Sequence, residues 1–176
     1  MDEQAYIDYN TKRNPWKFVV SVDKRKPVPY GIRKINGMAL ELTSLKKAVE
    51  SLQNALRVTG SGELEKFDKA QKDVLKAGVI QNFEFTYELC WKLMRRWLKE
   101  NLSPSATDGV TRRELFRMAA EQRLIDDVEQ WMRYHDARNQ SSHTYLPEIA
   151  DKVYRTAFDF FDDARNLLQA MEERND

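Results

Sequence analysis

"FDKAQKDVLKAGVIQNFEFTYELCWKLMRRWL", Phe67 to Leu98, is the stretch that decides the fold. Its apolar residues step by three and four through Phe67, Ala70, Val74, Ala77, Ile80, Phe83, Tyr87, Cys90, Met94 and Trp97. That spacing is one stripe of a long α-helix. Gly78 can bend such a helix but need not stop it. Phe83, Phe85, Tyr87, Trp91 and Trp97 fall on more than one of its faces. Core packing accounts for most of them, and the surplus predicts a surface buried against a second copy.

The same period continues on both sides. Upstream, Leu42, Leu45, Val49, Leu52 and Leu56 form the stripe of a first helix, with Met38 at its opening and Thr59–Gly62, "TGSG", at its end. Downstream, Asn101–Gly109, "NLSPSATDG", reads as a loop. Thr111 and Glu114 then have the spacing of a capping box. The third stripe runs through Leu115, Met118 or Ala119, has room for a break near Leu124–Asp126, and resumes at Val128, Trp131 and Met132. Pro147 suits a first helical position. Ile149, Val153, Ala157, Phe160, Ala164, Leu167 and Met171 complete a fourth stripe. Four such helices with short connections predict an all-α, antiparallel up-and-down four-helix bundle over residues 38–176.

Residues 1–37 read differently. "WKFVVSV" alternates Trp16, Phe18, Val20 and Val22 on one side, a short strand pattern, and Pro27, Pro29 and Gly31 follow. No later segment offers a comparable strand partner. The segment reads as a non-helical N-terminal extension: a tail, an edge strand or an addition unrelated to the core. It holds eight Lys/Arg against four Asp/Glu, a surplus of four positive charges in a chain of net charge +1. The remainder is therefore about three negative. This balance argues against a general duplex-DNA coat, and any polyanion affinity must come from a local patch.

One cysteine, Cys90, excludes a disulfide framework within the chain. With only two histidines it also excludes a cysteine-based zinc site, so no metal and no cofactor is expected. No apolar run reaches the length of a membrane span and no signal-peptide pattern opens the sequence. A cytoplasmic protein without a membrane partner is expected.

The chemistry concentrates in Arg138–Tyr145, "RNQSSHTY". On an unbroken helix Arg138 and His143 would point about 140° apart. Asn139, Ser141 and Ser142 compete for backbone hydrogen bonds, so a helix end here would let both turn toward one cleft. In a plain structural account Arg138 pairs with Asp136 or a carboxylate of the last helix. The serines and Asn139 then cap helix ends, and His143 and Tyr145 are partly buried polar contacts. His135 reads as a solvated helix-face histidine. In a functional account His143 passes protons near neutral pH and Arg138 clamps a phosphate.

The residues R-N-x-x-S-H-x-Y resemble the R-x4-H-x-Y motif of HEPN-domain proteins. "FEFTYELCWKLMRRWL" (Phe83–Leu98) and "RLIDDVEQWMRYHDARNQSSHTY" (Arg123–Tyr145) resemble the HepT-like family of nucleotidyltransferase substrate-binding proteins, over about Met38 to Glu172. The resemblance implies a helical bundle that forms a homodimer, with the motif lining a cleft between protomers. It implies the toxin of a toxin–antitoxin pair, a metal-independent endoribonuclease. Arg138 and His143 match the catalytic pair. Asn139, beside the arginine, and Ser142 would orient RNA or the catalytic groups. Tyr145 matches the tyrosine that a partner minimal nucleotidyltransferase, the antitoxin, modifies with AMP. Two other functions stay open: a non-catalytic nucleotide- or substrate-binding subunit of a nucleotidyltransferase, and a helical dimer that only holds that partner.

Overall fold

A computed structural model of the chain describes residues 40–60 and 62–175. The expectations for residues 1–37 and Met38 lie outside the described residues. Five α-helices build the described part: α1 (Thr43–Thr59), α2 (Lys69–Asn101), α3 (Arg112–Glu121), α4 (Val128–Gln140) and α5 (Pro147–Glu172). No strand occurs among the described residues.

The third stripe is therefore two helices. α3 ends where Leu124 N–H donates to the Ala119 carbonyl (2.9 Å) and Arg123 N–H to the Ala120 carbonyl (2.8 Å). This is the six-to-one and five-to-two pairing of a Schellman end. Arg123 takes the left-handed position at φ +56°, where glycine is usual, and Leu124 turns inward and is buried. The break anticipated at Leu124–Asp126 is real, and α4 restarts behind Asp127, whose side chain accepts from Gln130 N–H (3.0 Å).

Other boundaries follow local chemistry. Thr111 Oγ1 accepts from Glu114 N–H (3.2 Å) while Glu114 accepts from Thr111 N–H (2.7 Å), the expected capping box. α2 starts two residues later than its stripe, at a second capping box between Asp68 and Gln71. It passes Gly78 without a break and spans 33 residues, about 50 Å. Pro147 occupies the start of α5.

Cross-contacts fix the topology. Ser51 meets Asn82 and Thr86 meets Ala48, so α1 and α2 run antiparallel. Arg138 meets Glu88 and Ser141 meets Glu84, so α4 opposes α2. Tyr134 meets Asp163 and Gln140 meets Lys152, so α5 opposes α4. Leu40 and Asn175 exchange two hydrogen bonds (2.6 and 2.8 Å) and Tyr154 O–H donates to the Thr59 carbonyl (2.9 Å), so α5 also opposes α1. The result is the expected up-and-down bundle, with α3 joining α2 to α4.

The core is one cluster centred on Phe160, packed against Phe83, Tyr134, Trp131 and Tyr87. At its edge Tyr134 O–H donates to Asp163 Oδ2 (2.6 Å). Burial raises the Asp163 carboxyl above the ordinary carboxylate range. The Tyr134 hydrogen bond opposes this, and Asp126, Asp127 and Asp162 reinforce it. The folded state thus binds this proton more tightly than the unfolded chain. Between the two pKa values the group's contribution to stability falls as pH rises. Asp163→Asn keeps an acceptor for Tyr134 and removes the charge. Its melting temperature relative to wild type is expected to be higher at about pH 7 than at about pH 4. An equal difference at both pH values would acquit Asp163.

Candidate functional site

The polar stretch sits where α4 gives way to a short 3-10 turn, Ser141–His143. Ser141 Oγ donates to the Arg138 carbonyl (2.7 Å) and Ser142 Oγ to the Asn139 carbonyl (3.0 Å). These bonds occupy carbonyls that the next helical turn would have used, which ends α4 between Arg138 and His143. Ser141 is buried and its hydroxyl also reaches Glu84 of α2.

Arg138, half-buried, donates from Nε to Glu88 Oε1 (3.2 Å). Its partner is thus on α2, not Asp136 and not on the last helix, because α4 lies directly across from α2 at this level. The other Glu88 oxygen accepts from Trp91 Nε1–H (3.0 Å) and lies 3.5 Å from Lys92 Nζ. Burial works against ionisation of Glu88. The Trp91 hydrogen bond and the Arg138 and Lys92 charges outweigh it and hold the carboxyl below its usual range. Only Nε of Arg138 is engaged among the described residues, so both terminal nitrogens of its fork are available.

His143 and Tyr145 are not partly buried contacts. His143 is exposed and Tyr145 is 76% exposed, with their rings edge to face at 6.0 Å. The 3-10 turn carries both away from the core. Asn139 and Ser142 are exposed beside them.

His135 departs from expectation in the other direction. It is half-buried, stacked on Tyr87 (6.0 Å), and its Nδ1 lies 3.0 Å from Tyr87 Oη. Burial and the Arg112 charge lower its pKa, so the imidazole is held neutral at physiological pH. Its Nε2 faces Asn139 Nδ2 at 3.4 Å.

A groove of about 540 Å³ opens beside Arg138, walled by Asn82, Glu84, Phe85, Glu88 and Leu89 of α2. Phe85 is 60% exposed there. Arg138 is the one residue of the polar stretch that lines it. Glu84 and Glu88 were missed in the sequence. Their signal is two carboxylates one turn apart inside the apolar run "FEFTYELCW", where a charge needs a partner.

Among the described residues no group of three or more His, Cys, Asp or Glu side chains can hold a metal ion. The Cys90 thiol is fully buried and burial pushes its pKa up, so it is no nucleophile. No described helix is long and apolar enough to cross a membrane.

The family model described as "Nucleotidyltransferase substrate binding protein like" matches residues 40–173. The chain belongs to this family. A protein of Haemophilus influenzae named "Probable ribonuclease HepT" is 35% identical over 138 residues, 77% of this chain and 94% of that protein. A solved Haemophilus influenzae structure, described as revealing the fold of a substrate binding domain of a nucleotidyltransferase, superimposes with a TM-score of 0.71 at 32% identity. It covers 75% of this chain and 99% of that one. A Thermus thermophilus structure shares the fold at a TM-score of 0.58 and 22% identity, over 72% of this chain and 98% of that one. Both solved structures share the fold of this chain, and the sequence outside residues 40–173 lies beyond the family match.

Proposed function

We propose that the protein is a HEPN-type toxin, a metal-independent endoribonuclease working at a cleft between two copies of the chain in the cytoplasm. The observation that carries this is the end of α4: a guanidinium anchored through Nε alone, and one short turn further an exposed imidazole. Glu88 anchors Arg138 at the wall of the groove, and its unengaged terminal nitrogens can bind a phosphate through two parallel hydrogen bonds. His143 has a side chain free to approach substrate. One imidazole takes the 2′-hydroxyl proton as that oxygen bonds to phosphorus. The bond to the 5′-oxygen breaks, and the leaving oxygen takes a proton from the partner copy's imidazole. Asn139 and Ser142 orient the strand. The name of the 35% identical relative supports the same chemistry.

In this reading a second copy completes the cleft, since Arg138 lines the groove and His143 is not among its lining residues. The exposed Phe85, with Leu89 beside it, is the apolar surface that such a copy would cover. Light scattering is expected to find a dimer, and Phe85→Arg to give monomers that no longer cleave RNA. A wild-type monomer at micromolar concentration, or a monomeric variant with full activity, would refute the shared cleft.

Tyr145 is 76% exposed, the highest figure among the exposed large hydrophobic residues described. A partner minimal nucleotidyltransferase can reach it, and AMP on its hydroxyl would place a bulky anion against the path of RNA. The second reading, a nucleotide- or substrate-binding subunit without catalysis, is favoured by the family description itself. It predicts nucleotide binding without RNA cleavage and no toxicity on expression.

A further inference from the structure

A second cavity, of about 410 Å³, has in its wall Trp91, whose indole N–H donates to Glu88, and does not include Arg138 in its lining. Its walls include Trp91 and Arg95 of α2, Thr107 of the following loop, Arg112 at the start of α3 and His135 of α4. Nothing in the nuclease reading uses it.

Among the described residues its two arginines, Arg95 and Arg112, have no carboxylate at ion-pair distance, although Glu88 acts on Arg112 and Asp108 on Arg95 from further away. Arg95 is tied back to the loop instead. Its Nε donates to Thr107 Oγ1 (3.3 Å) and its Nη2 to the Thr107 carbonyl (3.4 Å), and Thr107 is buried. Arg112 lies over the Trp91 ring, its guanidinium carbon 3.6 Å from the centroid. Its Nε is buried with no hydrogen-bond partner. Burial disfavours its charge and Arg95 adds to that, while Tyr87 and Glu88 oppose them. The nearest carboxylate on the loop, Asp108, is engaged by Lys99 (2.8 Å). Two like charges held toward one cavity, each fixed by a neutral group, repel one another until an anion joins them.

We propose that this cavity is a phosphate-binding site for a nucleotide, with Arg95 and Arg112 as its cationic ligands. Planar guanidinium groups favour phosphate over a point anion because they match its oxygens in pairs. A volume of about 410 Å³ exceeds what inorganic phosphate needs and is in the range of small-molecule sites. Two sources share this chemistry: a free mononucleotide, and the terminal phosphate of an RNA strand. The proposal does not depend on RNA cleavage. His135 joins the two regions, since its ring lines this cavity while Asn139 of the polar stretch approaches its far nitrogen.

The test is calorimetric titration of the full-length protein with AMP, with inorganic phosphate, and with a short RNA carrying either a 5′-phosphate or a 5′-hydroxyl. Arg95→Gln, Arg112→Gln and Arg138→Ala are titrated beside wild type. Losing one charge-assisted contact should weaken binding about tenfold or more. The expected result is such a loss in Arg95→Gln and Arg112→Gln, with binding kept in Arg138→Ala. AMP bound more tightly than inorganic phosphate identifies the mononucleotide. Discrimination between the two RNA ends without AMP binding identifies the strand. Arg112→Gln removes the contact with Trp91 and can lose its fold, and Arg95→Gln, at an exposed residue, then decides alone. Unchanged binding in Arg95→Gln would overturn the proposal. So would equal loss in Arg138→Ala, or no binding of any probe by wild type at ~1 mM.

Discussion

In EDTA, the wild-type protein is expected to cleave RNA, and the His143→Ala protein to cleave it at least about 100-fold more slowly. The magnitude is that of a positioned proton-transfer group. This variant separates chemistry from folding better than any other at the site. The His143 side chain is exposed, and the Tyr145 ring at 6.0 Å is the aromatic neighbour it has. Its carbonyl, which accepts from Leu146 N–H (3.0 Å), survives the change to alanine. A substitution of this kind alters stability by no more than about 0.5 kcal/mol. Arg138→Ala is a harsher change, because it also strips Glu88 of its arginine and leaves a half-buried carboxylate with Trp91 and Lys92. Equal cleavage by wild type and His143→Ala would remove His143 from the chemistry. No cleavage by either, with Tyr145 shown by mass to be unmodified, would favour a nucleotide-binding subunit.

The largest stability effect is expected at Phe160. Its ring meets Phe83 edge-on at 5.0 Å, Tyr134 at 5.1 Å and Trp131 at 5.9 Å, and it is fully buried. Those neighbours come from α2 and α4, so one side chain of α5 ties three helices together. Phe160→Ala removes the transfer free energy of the ring, leaves a cavity and breaks three edge-to-face contacts. A loss of about 3–5 kcal/mol is expected, against a total of about 5–15 kcal/mol for a domain. Urea midpoints of wild type and variant measure it. A loss below about 1 kcal/mol would mean that neighbouring rings collapse into the space. Phe160→Leu, which leaves a smaller void, should lie between the two.

The helices and their order were legible because apolar periodicity is a local signal. Phe67–Trp97, Leu42–Leu56 and Ile149–Met171 each repeat often enough to outweigh a single Gly78. The split of the third stripe was only partly legible. The residue that ends α3 in the left-handed conformation is Arg123, so the usual glycine stop is missing. Candidate site residues were visible as residue types at a helix end, but their surroundings were not. The Glu88 partner of Arg138 lies 50 residues away, and burial of His135 depends on Tyr87, 48 residues away. Such pairings are set by how α4 lies across α2, which no short window of sequence contains. The Arg95–Arg112 cavity is of the same kind, assembled from three helices and a loop.

The paired hydrogen bonds between Leu40 and Asn175 bring the two ends of the bundle together. Topologically the four long helices close almost into a ring, and the place where the ring is cut is a matter of gene layout more than of packing. A chain opened in the loop after α2 and sealed from 175 to 40 would order its helices α3, α4, α5, α1, α2 with every interhelical contact retained. The only connection lost would be α2 to α3. In that order α4 and α5 would leave the ribosome before α2. The pairing of Arg138 with Glu88 would then form last, after the Phe160 cluster had begun to collect its rings.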